Sequence, residues 1–262
     1  MNSASKSAVL SFLAASTLLT ASTAAAEGFY ISGSLGAANQ ESSSNSGSFT
    51  SAFTTGTVTG VEPPLNIAAG SGLSWNTVFD SDINFSGAIG YDYGNLRAEL
   101  SVSHHENNVN RHTGVTAAGI DLSNIDAGVL ISGNVGDLGV STAGLVGTGA
   151  GEIENTTVML NGYYDFDFEG DLTPYIGFGI GNVNTDVSFA PSATPIVNDD
   201  DTGFAWQFIV GADYMISDSL SFFGNYRYVS ADEATVNVSL VPATLEIDND
   251  FQIFELGLKF SL

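Results

Sequence analysis

Apolar and polar residues alternate with a period of two along eight segments of the chain. In "DINFSGAIGY", residues 82–91, the side chains of Ile83, Phe85, Ile89 and Tyr91 share one parity, and small or polar residues occupy the other. A period of two is typical of a β-strand, because successive side chains point to opposite faces of the sheet. The same alternation recurs in residues 28–37, 96–103, 158–166, 174–181, 204–214, 220–228 and 254–262. The pattern therefore predicts eight strands.

The connections between these segments alternate in length. Short connections follow the second, fourth and sixth segments, around Gly94-Asn95, Glu169-Gly170 and Asp218-Ser219. Long connections follow the first, third, fifth and seventh segments, and they comprise residues 39–82, 104–156, 183–202 and 231–250. An even number of strands, with short turns at one end and long polar loops at the other, is typical of a bacterial outer-membrane barrel.

Two of the long connections have a distinctive composition. Residues 39–60 form a tract of Ser, Thr, Gly and Asn, which we expect to lack a fixed packed conformation. Residues 128–146, "GVLISGNVGDLGVSTAGLV", are apolar enough to form an additional hairpin. A ten-stranded barrel is therefore the alternative to eight strands.

The apolar parity of the eight segments carries no charged residue and no side-chain amide. This bulky surface suits lipid, whereas the opposite parity, rich in Gly, Ser and Asn, suits a crowded barrel interior. A soluble barrel of the lipocalin kind has the reverse arrangement, with its apolar side inward. The fold class is thus predicted as an all-β, antiparallel, up-and-down transmembrane β-barrel. Its predicted lipid-facing residues include Ile89, Leu100, Leu160, Phe178, Phe208, Phe222 and Leu258.

Basic residues are rare, and most of them fall on the inward parity. The chain has 5 Lys and Arg residues against 29 Asp and Glu residues, a formal net charge of −24. That balance argues against nucleic acid as a partner, because phosphate binding requires basic side chains. Unpaired buried charges are costly, so inward bases need inward acids beside them. We therefore predict an ionic network that fills the lumen, formed by Arg97, Glu99, Asp213, Arg227, Glu255 and Lys259.

The first 26 residues have the pattern of a secretory signal peptide. Lys6 provides the positive charge, residues 8–19 form a short apolar core, and "STAAA" predicts cleavage after Ala26. No linker or composition shift divides the rest of the chain, so residues 27–262 are predicted to form one barrel domain.

The motifs "GYDYGNLRAEL", "LNGYYDF", "LTPYIGFGIG", "FAWQFIVGADY" and the terminal "ELGLKFSL" resemble a known family. They are similar to the eight-stranded outer-membrane barrels of the opacity-protein and surface-antigen type, related to the OmpA transmembrane domain. The resemblance implies a Gram-negative outer membrane, surface-exposed loops and no catalysis. The partners would be outer-membrane lipid and lipopolysaccharide, the barrel assembly machinery through the C-terminal strand, and a host or surface ligand on the loops. Such barrels usually end in Phe or Tyr, whereas this chain ends in Leu262, with Phe260 two residues earlier.

Two patterns are candidates for chemistry. "SHHE", residues 103–106, combines Ser, His and an acid, as lipid A hydrolases of outer membranes do. A triad needs a nucleophile hydrogen-bonded to a base that a third group orients. Ser103 and His104 are adjacent and point to opposite faces, and no acid orients His105.

The acidic segments 198–203 and 247–250 could supply oxygen ligands to Ca²⁺ or Mg²⁺, but they lack the closing Glu of a calcium loop. We therefore predict solvated acidic loops, no catalytic residue, no metal site and no cofactor.

Three functional hypotheses follow from the sequence. The first is a structural or surface-interaction role, as a surface antigen, in adhesion or in envelope integrity, with a lumen plugged by charged side chains. The second is a narrow porin-like channel for ions or small solutes. The third is a lipid A-modifying barrel enzyme.

Overall fold

The chain forms an almost entirely β structure. The computed structural model describes residues 27–166, 168 and 170–262, so the predicted signal peptide and its cleavage site after Ala26 lie outside the described residues. The strands are β1 (Gly28–Gln40), β2 (Ser43–Phe49), β3 (Phe53–Thr54), β4 (Asn66–Ile67), β5 (Gly72–Phe79), β6 (Asp82–Asp92), β7 (Leu96–Ala117), β8 (Ile120–Asp121), β9 (Gly151–Asp165), β10 (Leu172–Phe189), β11 (Val197–Ser217), β12 (Leu220–Val238) and β13 (Ala243–Ser261). Helix α1 spans Thr142–Val146, and short 3-10 turns lie at Ala127–Leu130 and Pro191–Ala193. Within the described ranges, no helix has the length and apolar character needed to cross a bilayer.

Eight strands form a closed antiparallel ring at the short-turn end of the molecule, which we call the lower ring. In ring order they are β1, β6, β7, β9, β10, β11, β12 and β13, and β13 pairs with β1 to close the ring. These strands contain the eight alternating segments, so the predicted fold class is confirmed. The predicted short turns at Gly94-Asn95 and Asp218-Ser219 join β6 to β7 and β11 to β12. Of the third predicted turn, Glu169 lies outside the described residues.

Strands β2 and β5 continue the ring above β1 and β6. Strand β1 pairs with β13 as far as Gln40 opposite Phe251, and β2 takes its place from Ser46 opposite Glu246. Strand β5 replaces β6 beside β7 in the same way, and β2 and β5 pair with each other. The wall at the long-connection end, which we call the upper ring, therefore also has eight strands.

The long connections are thus largely ordered, and the expectation that residues 39–60 lack a fixed packed conformation is wrong. The tract supplies β2, whose polar side chains find partners inside the ring: Asn45 Nδ2 donates to Thr77 Oγ1 over 2.6 Å. The ten-stranded alternative is also wrong. Residues 128–146 contain a 3-10 turn and α1 and contribute no additional pair of strands.

The polarity of the two faces of the wall reverses between the lower and the upper ring. Outward side chains of β13 are apolar in the lower ring and acidic in the upper ring: Leu258, Leu256 and Phe254, then Asp250, Asp248 and Glu246. Inward side chains change in the opposite sense: Lys259 and Glu255, then Ile247, Leu245 and Ala243. An apolar exterior suits hydrocarbon, whereas an apolar interior with a polar exterior is the arrangement of a barrel in water. One continuous wall therefore combines both types.

The predicted lipid-facing residues all lie on the outer face of the lower ring. Their exposed fractions range from 41% to 60%: Ile89, Leu100, Leu160, Phe178, Phe208, Phe222 and Leu258. Apolar side chains exposed in this number form a continuous belt, which a protein surrounded by water would bury.

Replacement of Phe178 by Arg should destabilise the barrel in a lipid bilayer by about 2–4 kcal/mol, because Phe178 lies near the middle of the belt. The matched control is Asn184→Arg, on the same strand and the same outer face but beyond the belt, where its cross-strand neighbours are Thr156 and Thr202. Near the membrane interface an Arg costs about 0–1 kcal/mol. Urea titrations of both variants in lipid vesicles measure the difference. Equal losses would contradict the assignment of this face to lipid.

Candidate functional site

The lumen of the lower ring contains a group of paired charges close to the short-turn end. Arg97 Nε lies 2.7 Å from Asp165 Oδ2, and its Nη2 lies 3.4 Å from Asp213 Oδ2. Lys259 Nζ lies 2.7 Å from the same Asp213 oxygen. The predicted network did not include Asp165, although the inward parity of this residue in "YYDF" indicates that its side chain lies in the lumen. Its pairing with Arg97 depends on how β7 and β9 are staggered, which the sequence does not specify.

Aromatic rings surround the Arg97 guanidinium. Its central carbon lies 4.8 Å from the ring centroid of Tyr163 and 4.7 Å from that of Tyr175. A guanidinium over an aromatic face is attracted by the ring quadrupole. The guanidinium thus pairs with two carboxylates and packs against two aromatic rings, an arrangement that a Lys ammonium cannot reproduce.

A second group of polar side chains lies one level above. Glu255 forms a salt bridge with Arg227 and accepts hydrogen bonds from Ser34 Oγ at 2.9 Å and Ser86 Oγ at 3.0 Å. The carboxylate is 2% exposed, so these contacts replace its hydration. The structure therefore brings the predicted partners Arg227 and Glu255 together.

Glu99 occupies the same level without a cation beside it. Its carboxylate accepts from the Tyr163 hydroxyl at 2.8 Å, the Tyr30 hydroxyl at 3.0 Å and Asn161 Nδ2 at 3.2 Å. Among the described residues, no salt bridge joins Glu99 to a basic side chain. Five of the six predicted network residues therefore form ion pairs, and Glu99 is solvated by neutral donors.

Above the charges, the inward side chains include an apolar layer and then an amide layer. The apolar layer consists of side chains that are at most 1% exposed: Ala38, Met159, Val183, Ala205, Val229, Phe251 and Ile253. In the amide layer, Asn155 Nδ2 donates to Gln40 Oε1 at 3.1 Å, and Asn249 Nδ2 donates to Asn155 Oδ1 at 3.0 Å. The sequence reasoning missed most of these residues because it ended the strands below them.

The upper ring encloses a large apolar cluster, which we call the upper core. It gathers buried side chains from β2, β5, β7, β9, β10, β12 and β13, among them Phe49, Leu73, Trp75, Val115, Ile153, Phe189, Val236 and Leu245. Because the outer face of the upper ring is polar, this core provides the hydrophobic burial that stabilises it. The lumen is thus stratified from charged to apolar along its length.

His112 is a buried histidine within the upper core. Its Nδ1 lies 2.9 Å from Thr77 Oγ1, and its ring contacts Phe189 with centroids 4.8 Å apart. Burial lowers the pKa of His112 to about 4. Trp75 also packs at its edge, so the groups around the imidazole are uncharged. His112 is therefore neutral at neutral pH.

The "SHHE" segment does not assemble a triad. The Ser103 hydroxyl is hydrogen-bonded to Thr157 Oγ1 at 2.5 Å, and exposed His104 Nδ1 lies 3.0 Å from Thr156 Oγ1. His105 lies inside the ring, with its ring centroid 4.6 Å from that of Phe251. Within the described part of the chain, no hydrogen bond joins Ser103 to a histidine.

The acidic segments 198–203 and 247–250 lie in β11 and β13, so the expectation of loops is wrong there. Asp199 Oδ2 accepts from the backbone N–H of Asn237 at 2.9 Å, and Asp201 accepts from the same strand at 2.8 Å. These carboxylates replace backbone carbonyls where the β11–β12 ladder is interrupted. The hydrogen bond from Asn237 lowers the pKa of Asp199. In the chain as described, no group of three or more His, Asp or Glu side chains is positioned to hold a metal ion.

Comparisons with known proteins agree with this geometry. A family model described as "Outer membrane protein beta-barrel domain" matches residues 10–260. Outer membrane protein PagN of Salmonella typhimurium (strain LT2) is 31% identical over 93 residues, which are 33% of this chain and 38% of that protein. The solved structure of outer membrane protein OprG from Pseudomonas aeruginosa superposes with a TM-score of 0.52 at 16% identity, covering 90% of this chain and 97% of that one. Neisserial surface protein A gives a TM-score of 0.44 at 11% identity, with coverages of 89% and 97%.

Replacement of Arg97 by Ala should lower the free energy of unfolding by about 3–5 kcal/mol, because Asp165 is then buried without a cation. The matched control is Arg111→Ala, since Arg111 is exposed and bonds only its neighbour Asn110 among the described residues. A surface change of this kind alters stability by about 0.5 kcal/mol or less. Urea titrations of the two variants in one detergent provide the test. Similar losses for both would show that the buried pairs do not stabilise the lumen.

Lowering the pH should reduce the stability of the folded upper ring, because His112 is buried there in its neutral form. Its pKa falls from the ordinary 6.5 to about 4 in the folded state, so the unfolded state binds more protons between these values. The stabilisation is complete above pH 6.5 and is lost as the pH falls toward 4, by an amount on the order of 3 kcal/mol.

Hydrogen exchange of upper-ring amides on either side of this pH window measures the effect. The variant His112→Phe should lose the pH dependence, whereas His104→Phe should keep it because His104 is exposed. Identical pH profiles for the wild type and His112→Phe would refute the assignment.

Proposed function

The chain belongs to the outer membrane protein beta-barrel domain family, and on that basis we propose that it acts as a closed barrel with a surface-interaction role. The predicted outer-membrane location and the resemblance to eight-stranded barrels of the opacity-protein and surface-antigen type are confirmed. The apolar belt of the lower ring contacts lipid hydrocarbon in this proposal, and the upper ring is the extracellular part.

The observation that supports the proposal is the burial of inward side chains at every level of the ring. Along β13 alone, the inward side chains Lys259, Glu255, Phe251, Asn249 and Leu245 pass from paired charge through apolar and amide layers to the upper core. An eight-stranded interior is just wide enough for side chains, so each layer closes the passage. A narrow porin-like channel would need open space along a polar path, whereas the inward polar side chains of β7, from Arg97 to Asn107, are at most 6% exposed, which argues against one.

The length of the strands supports a role outside the membrane. Strand β7 has 22 residues, whereas a strand crosses a bilayer with about 9–11 residues. Beyond the belt, the outer face of the wall carries acidic side chains on six strands: Glu106, Glu152, Glu154, Asp186, Asp200, Asp232, Glu246, Asp248 and Asp250. This rigid acidic wall fits a partner with a basic surface.

Catalysis is not part of the proposal. Ser103 bonds a threonine, and His104 and His105 lie on opposite faces of the wall, so the lipid A-modifying hypothesis has no assembled nucleophile and base to support it.

Planar bilayer recordings test the closed lumen. The wild type should give no steady conductance steps. The variant Arg227→Ala should also stay closed, because Phe251 and Ile253 still fill the layer above it. Heat-dependent gel mobility of the same samples verifies that they are folded. A large, steady wild-type conductance would exclude the closed lumen and favour the channel.

Adherence tests the surface role. Bacteria that produce the chain should bind cultured host cells better than bacteria that lack it, and the variant Glu106→Gln/Glu152→Gln/Glu154→Gln should bind less. The matched control is Arg111→Ala, which leaves these acids in place. High salt should reduce the wild-type binding, since exposed charges are screened. Equal adherence with and without the chain would leave envelope integrity, measured as detergent resistance, as the better description.

A further inference from the structure

An apolar pocket lies at the extracellular end of the upper ring. It has a volume of about 390 Å³ and is bounded by β5, the end of β7 and the segments around β3 and β4. Most of its lining is apolar, including Phe53, Ile67 and Val129. Leu65 and Ile120 also line it and are 43% and 45% exposed, so the pocket opens to the exterior. Its volume falls within the range of about 300–1,000 Å³ for small-molecule sites.

A second cavity of about 40 Å³ adjoins the pocket on its inner side. Leu73, Leu130 and Val241 line both spaces, and Trp75 and His112 line the inner one. Trp75 is 6% exposed and His112 is 2% exposed. Their atoms Trp75 Nε1 and His112 Nε2 have no hydrogen-bond partner among the described residues.

The hydrogen-bond network assigns a proton to both of these nitrogens. The indole nitrogen of Trp75 is a donor only. Thr77 Oγ1 accepts from Asn45 Nδ2 at 2.6 Å and lies 2.9 Å from His112 Nδ1, which is the only group among its hydrogen-bond partners in the described residues that can accept the Thr77 hydroxyl proton. The neutral imidazole therefore carries its proton on Nε2. Two donors are thus buried at the inner end of an apolar pocket, which is unfavourable unless an acceptor reaches them.

We propose that this pocket binds a neutral aliphatic carbonyl compound, a long-chain ketone or ester, with its oxygen directed toward Trp75 and His112. A carbonyl oxygen has two acceptor lone pairs and no proton of its own, so it satisfies both donors and adds no unpaired one. An alcohol would bring an extra donor into the apolar space. Among the described residues, no Lys or Arg lines either cavity, and the net charge of −24 opposes a carboxylate. The site is independent of the closed lumen below it.

Tryptophan fluorescence provides the test, because the chain has two tryptophans and Trp206 lies on the lipid-facing belt. In a Trp206→Phe background, the full protein in nanodiscs is titrated with 2-dodecanone, and dodecane and dodecanoate are added as competitors. We expect saturable quenching of Trp75, with the ketone binding about tenfold more tightly than dodecane, as two hydrogen bonds at the weak end of the usual net range would give. Dodecanoate should compete more weakly than the ketone.

Three variants complete the experiment. Ala117→Phe fills the pocket and should abolish saturable quenching, and Ser71→Phe at its rim serves if the first variant does not fold. His112→Phe should retain apolar binding and reduce the preference for the ketone from about tenfold to about threefold, because the Trp75 donor remains. Leu100→Phe on the outer belt is the matched control and should bind as the wild type does. Equal affinities for dodecanone and dodecane, tighter binding of dodecanoate, or unchanged quenching in the pocket variants would overturn the proposal.

Discussion

The closed ladder of backbone hydrogen bonds is the constraint on which the other features of this protein depend. Only a sheet without free edges can cross hydrocarbon, because unpaired backbone groups there have no water to bond. Pairing of β13 with β1 achieves this closure in the lower ring, and the insertion of β2 and β5 continues the wall above, where the β11–β12 ladder is interrupted. Closure with eight strands fixes a narrow interior, so every inward side chain must be accommodated by its neighbours at the same depth.

The stratified interior follows from what surrounds the wall at each level. In the belt, the apolar side chains face lipid, so the interior takes the polar ones and satisfies them by pairing, as Arg97 does with Asp165 and Asp213. Above the belt, the wall is surrounded by water, and the same strands direct Leu245, Ile153 and their neighbours inward. The interaction that stabilises the barrel therefore changes from ion pairing to hydrophobic burial along a single set of strands.

The upper core gives the extracellular part a fixed shape. A wall held by apolar packing presents its acidic residues at constant positions, and Asp199 and Asp201 secure it where the backbone ladder is interrupted. The same packing leaves one pocket between the core and the segments around β3 and β4. The proposed surface interaction and the proposed binding of a small apolar molecule would thus use different parts of one structure, the outer wall and its open end.

The sequence by itself determined the number of strands in the membrane, the face that turns toward lipid and the inward position of Arg97, Arg227 and Lys259. Period-two alternation carries this information locally, because each residue's parity sets its side of the wall. Only the tertiary structure decided which charges meet. Asp165 pairs with Arg97 whereas Glu99 bonds tyrosine hydroxyls, since the stagger between strands sets the depth of each side chain. The upper ring and its pocket could not be predicted from the sequence either. Their residues, from Phe49 to Val241, are distant in sequence, and the tract that forms β2 is polar in composition and becomes a strand only through pairing with β5 and β13.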